Sequence, residues 1–148
     1  MTIKSRIVAL VSWVDPWLLT ALALGAWLRF SQLGDFDNQY YTATVVSMLK
    51  SPSNFLFASF DAGGVVAVDK PPLSFWAQAI PGALFGPAKW AVTLPQVVAG
   101  TMAIVILHIA IKPAFGRVAA AASSLTLAVI PASVIIDSRN EPDSLLSF

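Results

Sequence analysis

Two long stretches of this sequence carry no formal charge: none falls between Lys89 and Lys112, and none between Arg117 and Asp137. Each holds about 20 residues, enough for a helix of roughly 30 Å, the thickness of one hydrocarbon core. Lipid offers the backbone no hydrogen-bond partner, so a segment that crosses it must be helical. Composition points the same way. Of 148 residues 57% are hydrophobic and 11% charged, against about 25% charged in a soluble domain. So few charges cannot cover a water-exposed surface. The fold class implied is an all-α integral membrane protein with several spans.

The first span is predicted over about residues 13–30. Asp15-Pro16 reads as a helix start, with the aspartate capping and the proline in the first turn. Trp13, Trp17 and Trp27 sit towards its ends as interfacial aromatics do, and Arg29 is expected to snorkel to the headgroups. Further spans are expected at about 91–111 and 118–136, joined by a basic loop from Lys112 to Arg117. Residues 31–70 form an outer loop, too polar to cross lipid and too apolar for a soluble domain. Within it Thr42 to Lys50 reads as a short amphipathic helix, and Phe55, Phe57 and Phe60 as interfacial residues. Residues 71–87 are uncharged but interrupted by Pro81, Gly82 and Gly86, which predicts a short span or a helix lying along the interface.

Charge sets a topology. Lys4 and Arg6 hold the N-terminus inside, and no small-residue cleavage pattern follows, so the first helix is retained. The Lys112–Arg117 loop is inside by the positive-inside rule. One crossing then separates it from the outer loop. Residues 91–111 supply that crossing, so 71–87 should not span. The next crossing returns Asp137 to Asp143 to the outer side, facing residues 31–70. A net charge of +1 gives no reason to expect a nucleic-acid partner, and the absence of cysteine excludes disulfides and cysteine metal sites.

Three polar clusters carry the chemistry: Asp37-Asn38-Gln39-Tyr40-Tyr41, Asp69-Lys70-Pro71-Pro72-Leu73 and Arg139-Asn140-Glu141-Pro142-Asp143. A carboxylate at an apolar boundary has its charged form disfavoured, which suits a general base. Lysine or arginine there can hold a phosphate, arginine with bidentate geometry.

The order of these segments, with Leu84-Phe85-Gly86, the Leu-Pro-Gln-x-x-Ala-Gly run at 94–100, Phe115-Gly116 and Pro142-Asp143-x-Leu145-Leu146, resembles the GT-C membrane glycosyltransferases of glycosyltransferase family 39. That family includes the protein O-mannosyltransferases and the lipid A aminoarabinose transferases. Residues 54–61 and 68–73 are most similar to its bacterial mannosyltransferase-like branch. The resemblance implies a multi-span GT-C-like helical bundle with a structured first outer loop. It implies transfer of a sugar from a polyprenyl-phosphate-linked donor to a protein, lipid or cell-envelope acceptor, at the extracytoplasmic face of the plasma membrane. Asp37 matches the catalytic acid or base of the outer loop. Relatives follow it with a second acidic residue, where this chain has Asn38. Lys70 matches a lysine near the donor phosphate, with Arg139 a second candidate phosphate contact. Asp69 matches a position able to contact a divalent metal, and Asp143 the aspartate opening a later span. Tyr41 is a supporting residue. Relatives are several times longer, so the resemblance implies an N-terminal fragment that lacks a complete site.

Each residue also has a plain structural reading. Asp69 could pair with Lys70, and Lys70 could be an interfacial anchor. Arg139, Glu141 and Asp143 could be a helix-capping cluster. Tyr40 and Tyr41 read as interface aromatics. His108 has no acid nearby in sequence and reads as a helix-end residue. The rival function is a non-catalytic small membrane protein, a transporter subunit or assembly factor. It ranks lower because transporters place polar groups within their spans, and 91–111 and 118–136 have almost none.

Overall fold

The computed structural model describes residues 15–146, all of whose regular elements are helical. Trp13, Lys4 and Arg6 lie outside the described residues. Helix α1 is Pro16–Phe30, α2 Gln39–Met48, α3 Pro52–Phe57, α4 Pro72–Phe85, α5 Lys89–Val129, α6 Pro131–Asp137 and α7 Asp143–Leu146.

Three of these helices start where the sequence supplies a side-chain cap. Asp15 accepts the amide of Leu18 at 3.0 Å and Pro16 fills the first turn of α1. Asn38 accepts from the amide of Tyr40 to open α2. Ser51 accepts from Asn54, with Pro52 beginning α3. Each cap satisfies an amide that the helix itself leaves unpaired.

Helix α5 is long and apolar enough to cross a membrane, yet it is not one straight rod. Gly116 has φ 83° and ψ 175°, a conformation glycine adopts at little cost. Two observations show that the chain reverses there. His108 Nδ1 lies 3.2 Å from Ser124 Oγ, and a Cβ on Gly25 of α1 would meet both Ile104 and Ala128. Both pairs are symmetric about residue 116. The expected basic loop at Lys112–Arg117 is therefore a tight helical hairpin whose arms stay helical up to the glycine. The expected 118–136 segment is divided at Ile130, which has extended backbone (φ −61°, ψ 121°) before Pro131. Proline lacks an amide hydrogen and disfavours helical backbone in the residue before it.

The molecule has two cores. In the bundle, Ala21 of α1 packs with Ile104 and Ala128 of the two α5 arms, with Leu125 and Leu127 alongside. Beside it, Tyr41, Val45, Met48, Ala58, Val68, Phe75, Ala79 and Val92 make a more aromatic core. This second core joins α2, α4, the loop at 58–68 and the start of α5 into a cap over one end of the bundle.

Two predicted roles are overturned. Arg29 does not snorkel; it is fully buried. Its Nε donates to Asp137 Oδ2 at 2.9 Å, Nη1 to the carbonyls of Gly25 and Ala128, and Nη2 to Leu127 O and Ser133 Oγ. Snorkelling loses because α6 brings a carboxylate to it and the hairpin supplies carbonyls. Close packing makes this possible. A Cβ on Gly100 would overlap the carboxylate of Asp137, and one on Gly25 would overlap Ile104. His108 is likewise fully buried, with Nε2 3.3 Å from Asp15 Oδ2. The carboxylate it lacked in sequence arrives from the other end of the chain. Lys112 and Arg117 also reach Asp15, at 3.3 and 3.4 Å. This polar clasp ties the start of α1 to the hairpin turn.

Candidate functional site

At the end of the bundle away from the Asp15 clasp, the segment 137–143 passes beneath the cap and joins two of the sequence clusters. Its centre is Asn140, fully buried. Its Oδ1 accepts the backbone amide of Asn38 at 2.7 Å. Its Nδ2 donates to Asn38 O at 3.0 Å, to Thr42 Oγ1 at 2.9 Å and, longer, to Asp37 Oδ1 at 3.5 Å. Thr42 in turn donates its hydroxyl to Asp37 Oδ1. Asp37 is thus held by one oxygen, and Oδ2 has no hydrogen-bond partner among the described residues. Asn140 stood inside a polar cluster in sequence but carried no role. An uncharged amide bonding partners 102 residues away leaves no local signal.

Asn38 caps α2 and donates its Nδ2 to Glu141 Oε1 at 3.0 Å. An acid at residue 38 would meet that carboxylate without a donor between them. The arrangement therefore suits an amide.

One step along the chain, Ser74 Oγ donates to Pro142 O at 3.0 Å, and Lys70 Nζ donates to Asp143 at 2.9 and 3.2 Å. The lysine's pairing partner is thus Asp143 rather than its neighbour Asp69, which is exposed. The hydrogen bond it donates to Asp143 raises the Lys70 pKa above its ordinary value and keeps the ammonium charged. Tyr41 is buried against Phe75, their rings 5.5 Å apart, and so belongs to the cap's core rather than to an interface. Burial, and then the charges of Asp69 and Glu141, push its phenol pKa up, so it stays protonated. Arg139 takes no part in this network. Its guanidinium lies 3.9 Å from the ring centre of Phe36 and lines a small cavity of about 180 Å³ with Gln32 and Asp35.

Asp37 opens onto a larger cavity of about 440 Å³ along α2, walled opposite by Phe60 and Ala62. The turn that carries this wall is firmly built. Phe60 N donates to Val66 O at 2.8 Å, and Asp61 Oδ1 accepts the amides of Val65 and Val66. Those amides hold the Asp61 pKa below its ordinary value. Buried Asn54 ties the turn to α2 by donating to Ser47 O and Ala62 O. Phe60 stacks on Tyr40, rings 4.5 Å apart.

Among the described residues, no three His, Asp or Glu side chains gather closely enough to hold a metal ion. The lysine ammonium on Asp143 also opposes a cation there. Asp69 thus has no ready-made set of co-ligands for a divalent metal.

Residues 69–148 match the family described as dolichyl-phosphate-mannose-protein mannosyltransferase. The chain is 41% identical over 137 residues to "Putative mannosyltransferase YkcB" of Bacillus subtilis (strain 168), covering 91% of this chain and 19% of that protein. It is 40% identical over 136 residues to "Putative mannosyltransferase YycA" of the same organism, covering 90% and 20%. The chain thus spans about a fifth of the length of the curated relatives it matches. No solved structure matches it.

Proposed function

Because this chain belongs to the dolichyl-phosphate-mannose-protein mannosyltransferase family, we propose that it forms part of a membrane glycosyltransferase. The donor is a sugar linked to a polyprenyl phosphate, and the acceptor a protein, lipid or cell-envelope hydroxyl or amine. The observation that carries this reading is the joining of Asp37 and Lys70 through the single segment 140–143, with Asn140 on the carboxylate and Asp143 on the ammonium.

The chemistry divides between these two ends. As the acceptor attacks the anomeric carbon, its proton passes to Asp37 Oδ2, the oxygen left open. The bond from that carbon to the phosphate oxygen breaks, and the leaving phosphate takes the electron pair. A fixed positive charge where negative charge grows lowers the barrier. Lys70 supplies it, with Asp143 orienting the ammonium and 30% of the lysine side chain still open to solvent. One base and no covalent intermediate give inversion. Asn38 and Tyr41 support the site by capping α2 and packing it. Asp69 adds negative charge beside Lys70, and Arg139 offers a second, more distant cation. A divalent metal, if used, draws its other ligands from the donor phosphate or from beyond the described residues, and no step here runs through one. By the positive-inside rule this end of the molecule faces the extracytoplasmic side, and the Lys112–Arg117 turn with the Asp15 clasp the cytoplasmic side.

The test is transfer of labelled mannose from a polyprenyl-phosphate donor by the native protein in membranes, with and without Asp37→Asn. General-base catalysis contributes about 10²–10⁴-fold, so a loss of that size is expected at unchanged protein level. Undiminished transfer by the variant removes Asp37 from the mechanism.

A further inference from the structure

Resting on the reading of Asp37 as the acceptor's base, we propose that the cavity along α2 is the acceptor site. Its ligand is then an amphipathic molecule with an anionic group about one helix length from its reactive hydroxyl or amine. The lining positions Gln39, Thr42, Ala43, Val46 and Lys50 recur at helical spacing and form one face of α2. Asp37 precedes the helix and Lys50 follows it. At 1.5 Å per residue the two charges lie roughly 15–20 Å apart. Between them Ala43, Val46, Phe60 and Ala62 are apolar, and the hydroxyls of Thr42 and Ser47, which also line the space, are already donated to Asp37 Oδ1 and Asp61 O, so the middle of the ligand is apolar. At about 440 Å³ the space falls within the range of small-ligand sites.

Charge complementarity identifies the far end. Lys50 is exposed, and its ammonium has no partner among the described residues. Lys70 and Asp143 are absent from the lining, so the cavity meets Asp37 without including the cation assigned to the donor. Beyond Lys50, Leu56 and Phe57 are 56% and 65% exposed. These exposed apolar residues, on the helix that follows Lys50 in the chain, suit a ligand whose body comes from lipid.

The probe is an ω-hydroxy fatty acid of matching length carrying a photoreactive group, compared with its methyl ester on the native protein in membrane vesicles. The acid should label about tenfold more than the ester, a difference of about 1.4 kcal/mol. Lys50→Arg should keep that preference, Lys50→Gln should reduce the acid to the level of the ester, and Ala43→Trp, which fills the groove, should cut labelling by both. Equal labelling by acid and ester, or a preference untouched by Lys50→Gln, overturns the proposal and leaves Lys50 a headgroup anchor. Donor turnover, followed in parallel, separates the two readings. Lost preference with turnover intact sinks the acceptor site alone. Preference without any turnover sinks the glycosyl-transfer reading and keeps the groove as a binding site.

Discussion

Asp137 and Asp143 stand close together in the chain, and each holds a cation, but the two pairs live in different solvents. The Arg29 and Asp137 side chains are 0% and 10% exposed; those of Lys70 and Asp143 are 30% and 55%. The first pair is enclosed by two glycines, three carbonyls and a serine. The second sits at the rim of the cap. A buried pair is strongly coupled to folding, because removing one partner leaves the other charged in a medium that cannot solvate it. A half-exposed pair contributes little to stability and remains reachable by a ligand. In this molecule the charges inside the bundle hold the frame, and those at the cap are available for chemistry.

The sharpest way to break this contrast is to remove Arg29. Arg29→Met should destabilise the protein by about 3–5 kcal/mol, and the double variant Arg29→Met with Asp137→Leu should regain most of it. Thermal unfolding in detergent micelles reads both. A single variant as stable as the parent protein would mean that Arg29 is not confined as described. Next comes Gly100→Ala, whose new methyl group must push the Asp137 carboxylate aside. Overpacking of this kind costs about 1–3 kcal/mol, and the same melts should show it. The smallest effect on stability belongs to Lys70→Gln, which should leave the melting temperature within error while lowering sugar transfer.

The pH dependence of the cap pair follows from the raised Lys70 pKa. A lysine held above its ordinary 10.5 gives its full contribution below that value and loses it as pH climbs through the raised one. Between about pH 6 and 9 the lysine therefore stays charged, and any change of transfer rate across that window comes from other groups. A rate difference between parent and Lys70→Gln that disappears within the window contradicts the pairing.

Much of the architecture could be read from local signals. Charge gaps mark the apolar stretches, and Asp15-Pro16 marks a helix start. The acid clusters at 37 and 143 could be singled out because charges are scarce in such a chain. What could not be read depends on partners distant in sequence. Arg29 looks like a headgroup anchor until Asp137 meets it across 108 residues, and His108 looks isolated until Asp15 meets it across 93. Neighbours in sequence also mislead: Asp69 precedes Lys70, but the cap turns the lysine to Asp143. Asn140 shows the limit most clearly, since an uncharged amide has no composition signal and acts only through what the fold brings to it.

The separation of Arg29 from Asp137 also has a temporal meaning. Synthesis runs from the N-terminus, so α1 is made with its arginine while the hairpin and α6 are still untranslated. Arg29 stands in the last turn of α1, and an unpartnered arginine within a bilayer is unfavourable, by up to about 2.5–3.5 kcal/mol at the centre on insertion scales. Until residues 127–137 arrive with the carbonyls, the hydroxyl and the acid that receive it, the guanidinium lacks most of the partners that hold it in the folded bundle.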